Sequence, residues 1–555
     1  MATKLLIIGG VAGGATAAAR ARRLDEQADI ILFERGEHIS FANCGLPYYI
    51  GQVIKDRSNL LVTTPKAFRD QYNMDIRVFS EVTAIDTKNR EVEVKNLKTG
   101  DSYRESYDKI ILSPGAEPLR PPFEGIDMEN IFNLRDIPDA ERIKAYVDTK
   151  KPASAVIVGG GFIGLEMAEN LVYRGVKITI VEILDQVMPP LDYEMAAMIH
   201  PHLKEKGVIC ELGNGVKSFS KDGDRIIVST EKGHAIECDM VILSIGIRPE
   251  NRLAREAGLE IGEGGGIKVD ATMRTSDPNI YAVGDAVEIK DFITGLPTMT
   301  PLAGPANKQG RIAADNALGR KSIFKGTLAT SVVKVFDLTV AWTGASEKVL
   351  KGSKIPYLVS YTHSDSNASY YPGAETMAIK LIFSPSSGKI LGAQIVGKKG
   401  VDKRIDVLAT AIHGAMTVYA LEELELAYAP PYSSAKDPIN IAGFVAANIL
   451  KGDVENINWN ELDDLDRDKD LLIDLRNKKE LDTSGVIKGA LHIPLHVLRE
   501  KMTELDKDKN YVLCCAAGRR SYLGYRILVQ NGFKSRNLSG GYKTYSGAKE
   551  NIRIP

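Results

Sequence analysis

Residues 155–164 read Ala-Val-Ile-Val-Gly-Gly-Gly-Phe-Ile-Gly, a short apolar run followed by a glycine-rich turn. The glycines at 159, 161 and 164 have the spacing that turns a strand tightly into a helix and brings a pyrophosphate to the helix N-terminus. A second apolar run ends at Glu182, 23 residues after Gly159. A carboxylate there reaches a ribose hydroxyl and repels a 2′-phosphate. The predicted site prefers NADH, with NADPH as the alternative, and comprises Gly159, Gly161, Phe162, Ile163, Gly164 and Glu182.

An earlier strand–turn–helix–strand unit, between Lys4 and Glu34, repeats this pattern less regularly. Its turn reads Gly-Gly-Val-Ala-Gly-Gly over residues 9–14, with Val11 in the position of the second fingerprint glycine. Much further along the chain, Asp285 ends another apolar strand and can accept a hydrogen bond from a flavin ribityl chain. Residues 301–305 then lead into a helix whose N-terminus can stabilise negative charge on a reduced flavin. Together these features predict an FAD site.

Composition excludes several other classes of protein. The 555 residues are 44% hydrophobic and 26% charged with a net charge of −1, which predicts several globular domains and gives no electrostatic case for nucleic acid or an anionic membrane. No run approaches the roughly 20 apolar residues of a membrane span. Lys4 and the apolar residues after it resemble a secretory signal, but glycines and then arginines interrupt the run. Five cysteines suit a reducing cytoplasm, and their spacing predicts neither a disulfide framework nor a metal site.

Two of the five cysteines have a sequence context typical of sulfur chemistry. Cys44 lies in Ser-Phe-Ala-Asn-Cys-Gly-Leu-Pro-Tyr-Tyr (residues 40–49), just after the first dinucleotide unit. Cys515 begins Cys-Ala-Ala-Gly-Arg-Arg-Ser, a short loop rich in potential anion donors. Backbone N–H groups that converge on such a sulfur stabilise a thiolate or a persulfide. A hydride-fed cysteine and a sulfur-carrying cysteine on one chain predict the reduction of disulfides or persulfides.

Two dinucleotide sites in this order, with Ser-Pro-Gly at 113–115 and Ser-Ile-Gly at 244–246, resemble the FAD-dependent pyridine nucleotide-disulfide oxidoreductases over residues 1–447. The Cys-x4-Cys pair of many members is missing, which is typical of a single-cysteine group of NADH oxidases, NADH peroxidases and coenzyme A-disulfide reductases. Oxidases and peroxidases carry a histidine where this chain has Ala12. The sequences around Cys44 and at 428–433, Tyr-Ala-Pro-Pro-Tyr-Ser, are similar to the coenzyme A-disulfide reductases.

This resemblance implies a set of catalytic roles. Cys44 would form a mixed disulfide with a CoA thiol, and we expect a positive or dipolar environment to lower its pKa. Tyr428, projecting from the partner subunit of a homodimer, and Tyr370 would protonate the departing thiolate. Some relatives have a tryptophan where this chain has Gly304, which would widen the entrance.

The resemblance also implies residues for each ligand. The residues expected to bind FAD are Gly9, Gly10, Ala12, Gly13, Glu34, Arg35, Val82, Ser113, Gly115, Asp285, Pro301, Leu302 and Ala303. Gly246 is expected to bind NADH together with the residues of the second glycine-rich turn. Those expected at coenzyme A are Arg20, Arg23 and Lys436 for the phosphates, and Thr16, Ser40, Asn43 and Asn307 for the pantetheine arm. The alternative for the two arginines is a solvated helix face.

The last hundred residues resemble a single-domain rhodanese. The resemblance rests on residues 473–476 and 485–490, on the Cys515 loop with Arg520 and Ser521, and on Leu-Ser-Gly-Gly at 538–541. It implies that Cys515 and Arg520 act together. Some phosphatases use a similar loop, but with one more residue between cysteine and arginine, and they remain the alternative.

We therefore predict an α/β fold with two Rossmann-like FAD- and NAD-binding domains, an α+β dimerisation domain and a C-terminal α/β rhodanese domain. The predicted ranges are 1–149 with 247–325 for FAD, 150–246 for NAD(P)H, 326–447 for dimerisation, 448–457 for a linker and 458–555 for rhodanese. The predicted function is NADH-dependent reduction of CoA disulfide and CoA persulfide or polysulfide by a cytoplasmic homodimer, with sulfur handled at Cys515. The alternatives are an NADH oxidase or peroxidase that cycles Cys44 through a sulfenic acid, and a redox-sensing binding protein.

Overall fold

The structure, a computed structural model, describes residues 2–550. Within that part, one compact unit comprises the residues up to 185 together with 208–329, and a second comprises 186–207 together with the residues from 330 onward. Both units mix helices and parallel or antiparallel sheets, so the predicted α/β class is confirmed.

The first sheet of unit 1 is parallel and contains the two strands of the first dinucleotide unit. Its strands are, in spatial order, Ile280–Ala282, Lys109–Leu112, Lys4–Ile8, Asp29–Phe33 and Asp75–Arg77. Four of the five residues of Lys4–Ile8 are buried, as expected for a strand covered on both faces. Helices Ala12–Leu24 and Ala303–Ala317 pack against each other beside it. An antiparallel sheet of Ser80–Asp86, Glu91–Asn96 and Ser102–Ser106 is inserted, and the other helices around it are Leu46–Ile50, Pro65–Tyr72 and Arg252–Glu256.

The second parallel sheet of unit 1 is the predicted NAD-type sheet. Its strands are Ile209–Leu212, Lys177–Glu182, Ser154–Val158, Met240–Leu243 and Ile131–Asn133. Helices Ile137–Lys150 and Phe162–Tyr173 accompany it, as does an antiparallel sheet of Val216–Asp222, Arg225–Thr230 and Ala235–Cys238. Strand Ile131–Asn133 joins this sheet by pairing with Met240–Leu243. The predicted ranges had assigned these residues to the FAD-binding domain, 1–149.

Short strands complete unit 1. Ala116–Pro118 pairs with Ile247–Pro249, where the chain leaves and re-enters the FAD-type part. The remaining strands are Ile267–Lys268, Val287–Lys290 and Pro297–Thr298.

Unit 2 contains an antiparallel sheet that lies within the range predicted for dimerisation, 326–447. Its strands lie in the order Ser331–Val335, Leu338–Gly344, Ile390–Gly397, Thr376–Phe383 and Leu358–Asp365. Its helices are Glu347–Gly352, Val401–His413, Val418–Glu423 and Pro438–Leu450. Leu358–Asp365 is therefore an edge strand, with one side left to other parts of the unit.

Residues 186–207, which contain helices Tyr193–Ala196 and His200–Glu205, belong to unit 2 although they were predicted in the NAD-binding domain. Buried Lys380 anchors them, with Nζ 2.8 Å from Asp192, 2.6 Å from Glu347 and paired with Glu194. The three carboxylates are close enough to hold a metal ion, but the Lys380 ammonium already supplies the positive charge among them. Such a buried pairing holds only if each charge is compensated.

The rhodanese-like part forms a five-stranded parallel sheet in unit 2. Its strands lie in the order Asn456–Ile457, Lys534–Leu538, Asn510–Cys514, Asp470–Asp474 and Leu491–His492. Helices Lys478–Ser484, Leu498–Lys501, Arg519–Gln530 and Gly541–Glu550 surround it. The predicted linker, 448–457, contains the end of helix Pro438–Leu450, an irregular turn over residues 451–455 and strand Asn456–Ile457. Among the described helices, none combines the length and hydropathy that crossing a bilayer demands.

Candidate active sites

The first glycine-rich turn places backbone N–H groups at the start of helix Ala12–Leu24. Gly9 has a φ of +97°, which favours glycine, and a Cβ at Gly14 would lie 1.9 Å from the carbonyl oxygen of Gly9. Glu34 accepts the N–H group of Gly10 at 2.8 Å. No side chain caps this helix, whose N-cap residue is Val11, so its first N–H groups are available to an anion.

The second glycine-rich turn has the same construction. Gly159 has a φ of +104°, a Cβ at Gly164 would lie 2.0 Å from the carbonyl oxygen of Gly159, and Gly160 donates to Glu182 at 2.7 Å. A Cβ at Gly161 would meet nothing within 4 Å, so there is space above the turn. The two turns thus each combine a glycine cradle, an uncapped helix and an acid at the end of the second strand, and their residues fit a dinucleotide.

The other residues expected at FAD gather around the first turn. A Cβ at Gly13 would lie 3.1 Å from Ser113 Oγ, and one at Gly310 would lie 2.2 Å from the carbonyl oxygen of Gly13, which brings helix Ala303–Ala317 onto the turn. Burial raises the pKa of Asp285 to about 6. A carboxyl group that is partly protonated near neutral pH suits contact with a ribityl hydroxyl.

The remaining predicted cofactor residues lie at less informative positions. Arg35 pairs with Glu250 at 3.7 Å, and Val82 is buried. Gly115 and Gly246 have φ values of +76° and +114° in the segments that connect the two sheets. Pro301 and Leu302 precede the helix that begins at Ala303, and Leu302 occupies its N-cap position without a side-chain cap.

Cys44 is an exposed free thiol in the turn Asn43–Gly45, immediately before helix Leu46–Ile50. Although the residue reaches solvent, protein atoms surround much of its sulfur, and this partial desolvation is the largest cause of its raised pKa. The negative charges of Glu166 and Asp285 also raise the pKa, while a backbone hydrogen bond acts in the opposite direction. The prediction that its surroundings lower the pKa of Cys44 was therefore wrong, because within unit 1 they raise it. The charged groups that act on the sulfur are acidic rather than basic.

A pair of residues that the sequence analysis missed lies beside Cys44. The Tyr48 hydroxyl donates to Glu166 Oε1 at 3.2 Å. Burial raises the pKa of Glu166 to about 7, and burial and Glu166 together raise the pKa of Tyr48. Glu166 therefore holds or releases a proton near neutral pH next to the thiol. Its position two residues after Gly164, on the helix that the fingerprint opens, was the available sequence signal.

Several of the predicted coenzyme A residues of unit 1 lie on the helix after the first turn or contact that turn or helix. Thr16 donates to Asn307 at 2.8 Å, and the N–H group of Ser40 donates to the carbonyl oxygen of Gly10 at 2.8 Å. Arg20 Nε bonds Asp315 at 2.7 Å. Arg23 is exposed, and Asn43 begins the Cys44 turn.

In unit 2 the hydroxyl groups of Tyr370 and Tyr428 lie 2.8 Å apart. They are exposed by 74% and 47%, so both are accessible for contact with another molecule. Their hydrogen bond raises the pKa of Tyr370, which keeps its hydroxyl protonated. Buried Arg404 ties the two loops together by donating to the carbonyl oxygen of Ser366 and to Asp437, both at 2.9 Å.

A cavity of about 550 Å³ lies beside this tyrosine pair. Its lining combines aromatic and cationic residues, including Tyr428, Tyr432, Lys399 and Lys403. Lys436 is exposed a few residues beyond the cavity-lining loop.

Cys515 lies in a loop that directs hydrogen-bond donors at its sulfur. The Gly518 N–H group donates to Sγ at 3.2 Å and the Ser521 hydroxyl at 3.4 Å. Gly518 has a φ of +94° and precedes helix Arg519–Gln530. Cys515 is 1% exposed, and Cys514 is the last residue of the strand before the loop. The loop has the geometry of a nest for a sulfur anion.

Arg520 is held beside Cys515 by a residue that the sequence analysis missed. Both terminal nitrogens of Arg520 contact the Glu480 carboxylate, at 2.7 and 2.6 Å, while its guanidinium also acts on Cys515. The ion pair lowers the pKa of Glu480 to about 2. No short-range sequence signal marks Glu480, which lies on helix Lys478–Ser484, because the contact forms only in the folded domain.

Three family models match this chain in consecutive segments. The model described as pyridine nucleotide-disulphide oxidoreductase matches residues 3–310, and the model of the dimerisation domain of the same family matches residues 330–438. The rhodanese-like domain model matches residues 458–548.

Individual relatives cover most or all of the chain. The coenzyme A disulfide reductase of Staphylococcus haemolyticus is 36% identical over 447 residues, which is 80% of this chain and 100% of that protein. The crystal structure of reduced Bacillus anthracis CoADR-RHD has a TM-score of 0.97 and 51% identity, covering 99% of this chain and 98% of that one. The structure of an NAD-dependent persulfide reductase from A. fulgidus has a TM-score of 0.91 and 38% identity, covering 98% and 100% of the two chains.

Proposed function

The chain belongs to the pyridine nucleotide-disulphide oxidoreductase family, and we propose that it reduces coenzyme A disulfide and coenzyme A persulfide with electrons from NADH. FAD and NADH are its proposed cofactors, Cys44 is the reacting thiol, and Cys515 carries sulfur. The single observation that carries the proposal is the presence of two chemically distinct cysteine sites on a chain that matches both a CoADR-RHD and a persulfide reductase over nearly its whole length.

The two glycine cradles support the choice of cofactors. At the second turn, both Glu182 oxygens accept a backbone N–H group, from Gly160 at 2.7 Å and Leu184 at 2.9 Å. The charged carboxylate can still accept a ribose hydroxyl, but it repels the 2′-phosphate of NADPH. A bound FAD would pass the electrons of NADH to the sulfur centre, and the chain would hold it through residues around the first turn, including Gly9, Glu34, Ser113 and Asp285.

Cys44 does the sulfur chemistry in this proposal. Its thiolate attacks CoA disulfide, forms a Cys44–CoA mixed disulfide and releases one CoA thiolate. Two electrons then cleave the mixed disulfide, so that NADH, a proton and CoA disulfide give NAD⁺ and two CoA thiols. With CoA persulfide the products are NAD⁺, one CoA thiol and hydrogen sulfide. Because Glu166 and Asp285 raise the Cys44 pKa, they favour the return of a proton to sulfur when its negative charge appears.

The exposed tyrosine pair supports an active site shared between two subunits. Tyr370 and Tyr428 are both exposed on the segment that matches the family's dimerisation domain. In a homodimer they would approach the partner's flavin and protonate the departing CoA thiolate. Because its pKa is raised, the Tyr370 hydroxyl carries its proton at neutral pH.

Coenzyme A would lie along the face that starts at Cys44. Asn43, Ser40, Thr16 and Asn307 offer polar contacts to a pantetheine arm. Arg20, Arg23 and, from the partner subunit, Lys436 would bind its phosphates. Arg20 keeps its bond to Asp315 in this arrangement, which leaves its two terminal nitrogens for phosphate.

Cys515 would supply the persulfide. A persulfide on Cys515 transfers its outer sulfur to a CoA thiol, which regenerates the Cys515 thiol and yields CoA persulfide for Cys44. The five cysteines carry no disulfide in the described structure, and a reducing cytoplasm suits such an exchange.

Anaerobic NADH oxidation tests the proposal. CoA persulfide and CoA disulfide are compared as acceptors for the wild type, Cys44→Ser and Cys515→Ser, with sulfide measured in parallel. Cys210→Ser is the matched control, because burial raises the pKa of Cys210 to about 12 and keeps it unreactive. We expect Cys44→Ser to abolish both reactions and Cys515→Ser to slow only reactions that begin with sulfur on the rhodanese domain.

Oxygen is the electron acceptor that distinguishes the main alternative, an NADH oxidase, from the proposed reductase. An NADH oxidase would turn over NADH in air without any CoA compound and would lose that activity in Cys44→Ser. Ala12, at the position where such enzymes carry a histidine, leads us to expect slow oxidation. A redox-sensing protein would show negligible turnover with every acceptor, and either result would contradict the proposal.

A further inference from the structure

Strand Leu358–Asp365 of the dimerisation domain touches the rhodanese-like domain at its free edge. The Tyr361 N–H group donates to Ser539 Oγ at 3.2 Å, and His363 Nε2 lies 2.9 Å from Thr544 Oγ1. Ser539 and Thr544 are 2% and 0% exposed. All four residues of this contact belong to unit 2.

The segment that receives this contact also supports the Cys515 loop. The N–H group of Tyr542 donates to the carbonyl oxygen of Cys515 at 2.7 Å, and that of Lys543 donates to Ala516 at 3.0 Å. A Cβ at Gly541 would lie 2.4 Å from the Cys515 carbonyl oxygen, so the segment and the loop are in direct backbone contact. Residues 539–544 are therefore held by the sheet edge on one side and hold the cysteine loop on the other.

Close packing leaves this segment little freedom to shift. A Cβ at Gly540 would lie 2.2 Å from Thr544 Oγ1 and 2.7 Å from Tyr361 Cβ. A loss of the hydrogen bond at Thr544 is then transmitted to the next backbone positions, including the N–H groups of Tyr542 and Lys543. The distance from the Gly518 N–H group to the Cys515 sulfur, 3.2 Å, depends on the same loop backbone.

From these contacts we infer that His363, a residue of the dimerisation domain, is a positioning residue for sulfur chemistry at Cys515. The inference rests on the sulfur-carrying role proposed for Cys515. Its consequence is that the rhodanese-like domain does not possess a complete active site by itself. The sheet edge of the neighbouring domain fixes the donors that stabilise the Cys515 thiolate or persulfide.

The chemistry of His363 suits a fixed hydrogen bond rather than a switch. Burial, together with the nearby Lys543 ammonium, lowers the pKa of His363 to about 3. The imidazole is thus neutral at physiological pH and offers one donor and one acceptor nitrogen. The contact with Thr544 persists over the whole pH range in which a thiolate acts.

The test reads the Cys515 loop directly in the full-length protein. The pH dependence of Cys515 alkylation by iodoacetamide is followed by peptide mass spectrometry for the wild type, His363→Phe, Thr544→Val and the double variant. We expect each single variant to slow Cys515 alkylation about tenfold at fixed pH, because the donors that stabilise the thiolate are displaced. Because both single variants remove the same bond, the double variant adds little to either.

Three comparisons separate positioning from general damage. His413→Phe, at an exposed histidine of the same domain, is the matched control and keeps the wild-type profile. His363→Gln retains a hydrogen-bonding group and restores part of the profile. Anaerobic CoA disulfide reduction at Cys44 stays within twofold of the wild type in all variants, and unchanged melting curves exclude unfolding. If His363→Phe does not fold, Thr544→Val measures the same bond.

A second readout keeps this inference distinct from the proposed function. Thiosulfate donates its outer sulfur to the Cys515 thiolate with release of sulfite, and cyanide then removes that sulfur as thiocyanate. A wild type without this activity would contradict the sulfur role of Cys515, whereas the alkylation profile would still report the loop geometry. An unchanged alkylation profile in folded His363→Phe and Thr544→Val would overturn the inference even if the wild type transfers sulfur.

Discussion

Arg520 and Glu480 form a bidentate ion pair beside Cys515, with nitrogen–oxygen distances of 2.7 and 2.6 Å. The planar guanidinium matches both carboxylate oxygens, which fixes its orientation as well as its charge. Since the same guanidinium acts on the Cys515 sulfur, Glu480 determines where the positive charge lies relative to the reacting atom.

Replacing Glu480 by glutamine should therefore weaken sulfur transfer. The variant leaves Arg520 with a neutral, one-oxygen partner, and we expect the rate of sulfur transfer from thiosulfate to cyanide to fall about tenfold. Asp482→Asn on the same helix is the control, because the Lys478–Asp482 pair is exposed by 74% and 58% and should contribute little. Equal losses in both variants would point to the helix rather than to the ion pair.

The same ion pair gives a pH dependence of stability. The pKa of Glu480 falls from 4.5 to about 2 in the folded protein, so the pair stabilises the fold above about pH 4.5 and this stabilisation is lost as the pH falls towards 2. We expect the melting temperature of the wild type to exceed that of Glu480→Gln at pH 7, and the difference to shrink between pH 4.5 and 2. We expect the difference in melting temperature to be modest because solvent screens the partly exposed ion pair. A difference that widens as the pH falls would contradict the stabilising role of the ion pair.

Glu166 should control the reactivity of Cys44. The pKa of Glu166 is about 7, so in the wild type its negative charge appears near neutral pH and raises the pKa of the thiol. Glu166→Gln removes this charge, and we expect the apparent Cys44 pKa to fall by up to about one unit. This apparent pKa is measured from the rate of Cys44 alkylation between pH 6 and 10 in the FAD-loaded enzyme. Glu260→Gln, which changes an exposed glutamate, is the control. A pKa that rises in Glu166→Gln would show that the interaction has the opposite sign.

Cofactor choice should depend on the charge of Glu182. Glu182→Gln keeps the side-chain shape and an oxygen for the backbone N–H groups but removes the repulsion of a 2′-phosphate. We expect the ratio of kcat/KM for NADH over NADPH to fall by at least about tenfold. Steady-state kinetics with both cofactors check this. Glu34→Gln is the matched control: the carboxylate has the same geometry at the other turn and should leave the ratio unchanged. An unaltered ratio in Glu182→Gln would place cofactor selection elsewhere.

The sequence predicted what depends on local spacing. Both turns, with the helices that they open, follow from glycines and an acid at fixed separations. Contacts between distant segments were missed: Tyr48 meets Glu166 across 118 residues and Arg520 meets Glu480 across 40. The predicted direction of the Cys44 pKa shift was wrong for the same reason, because the atoms that bury the sulfur and the charges of Glu166 and Asp285 come from other parts of the chain.

The active site proposed to be shared between subunits can be tested with mixed dimers. Cys44→Ser and Tyr428→Phe are each expected to reduce CoA disulfide turnover strongly when both subunits carry the same change. In a heterodimer of one Cys44→Ser chain and one Tyr428→Phe chain, an active site built in trans pairs the intact Cys44 of one subunit with the intact Tyr428 of the other.

We therefore expect about half of the wild-type activity from heterodimers purified with two different affinity tags. If Tyr428 serves the Cys44 of its own chain, each site in the heterodimer carries one defect and turnover stays near the level of the parent variants. Tyr371→Phe, at the residue next to Tyr370, is the control for the tyrosine substitution and should be active in either combination. The Tyr370–Tyr428 hydrogen bond further implies that Tyr370→Phe is complemented in the same pattern, because both hydroxyls belong to one loop pair of one subunit.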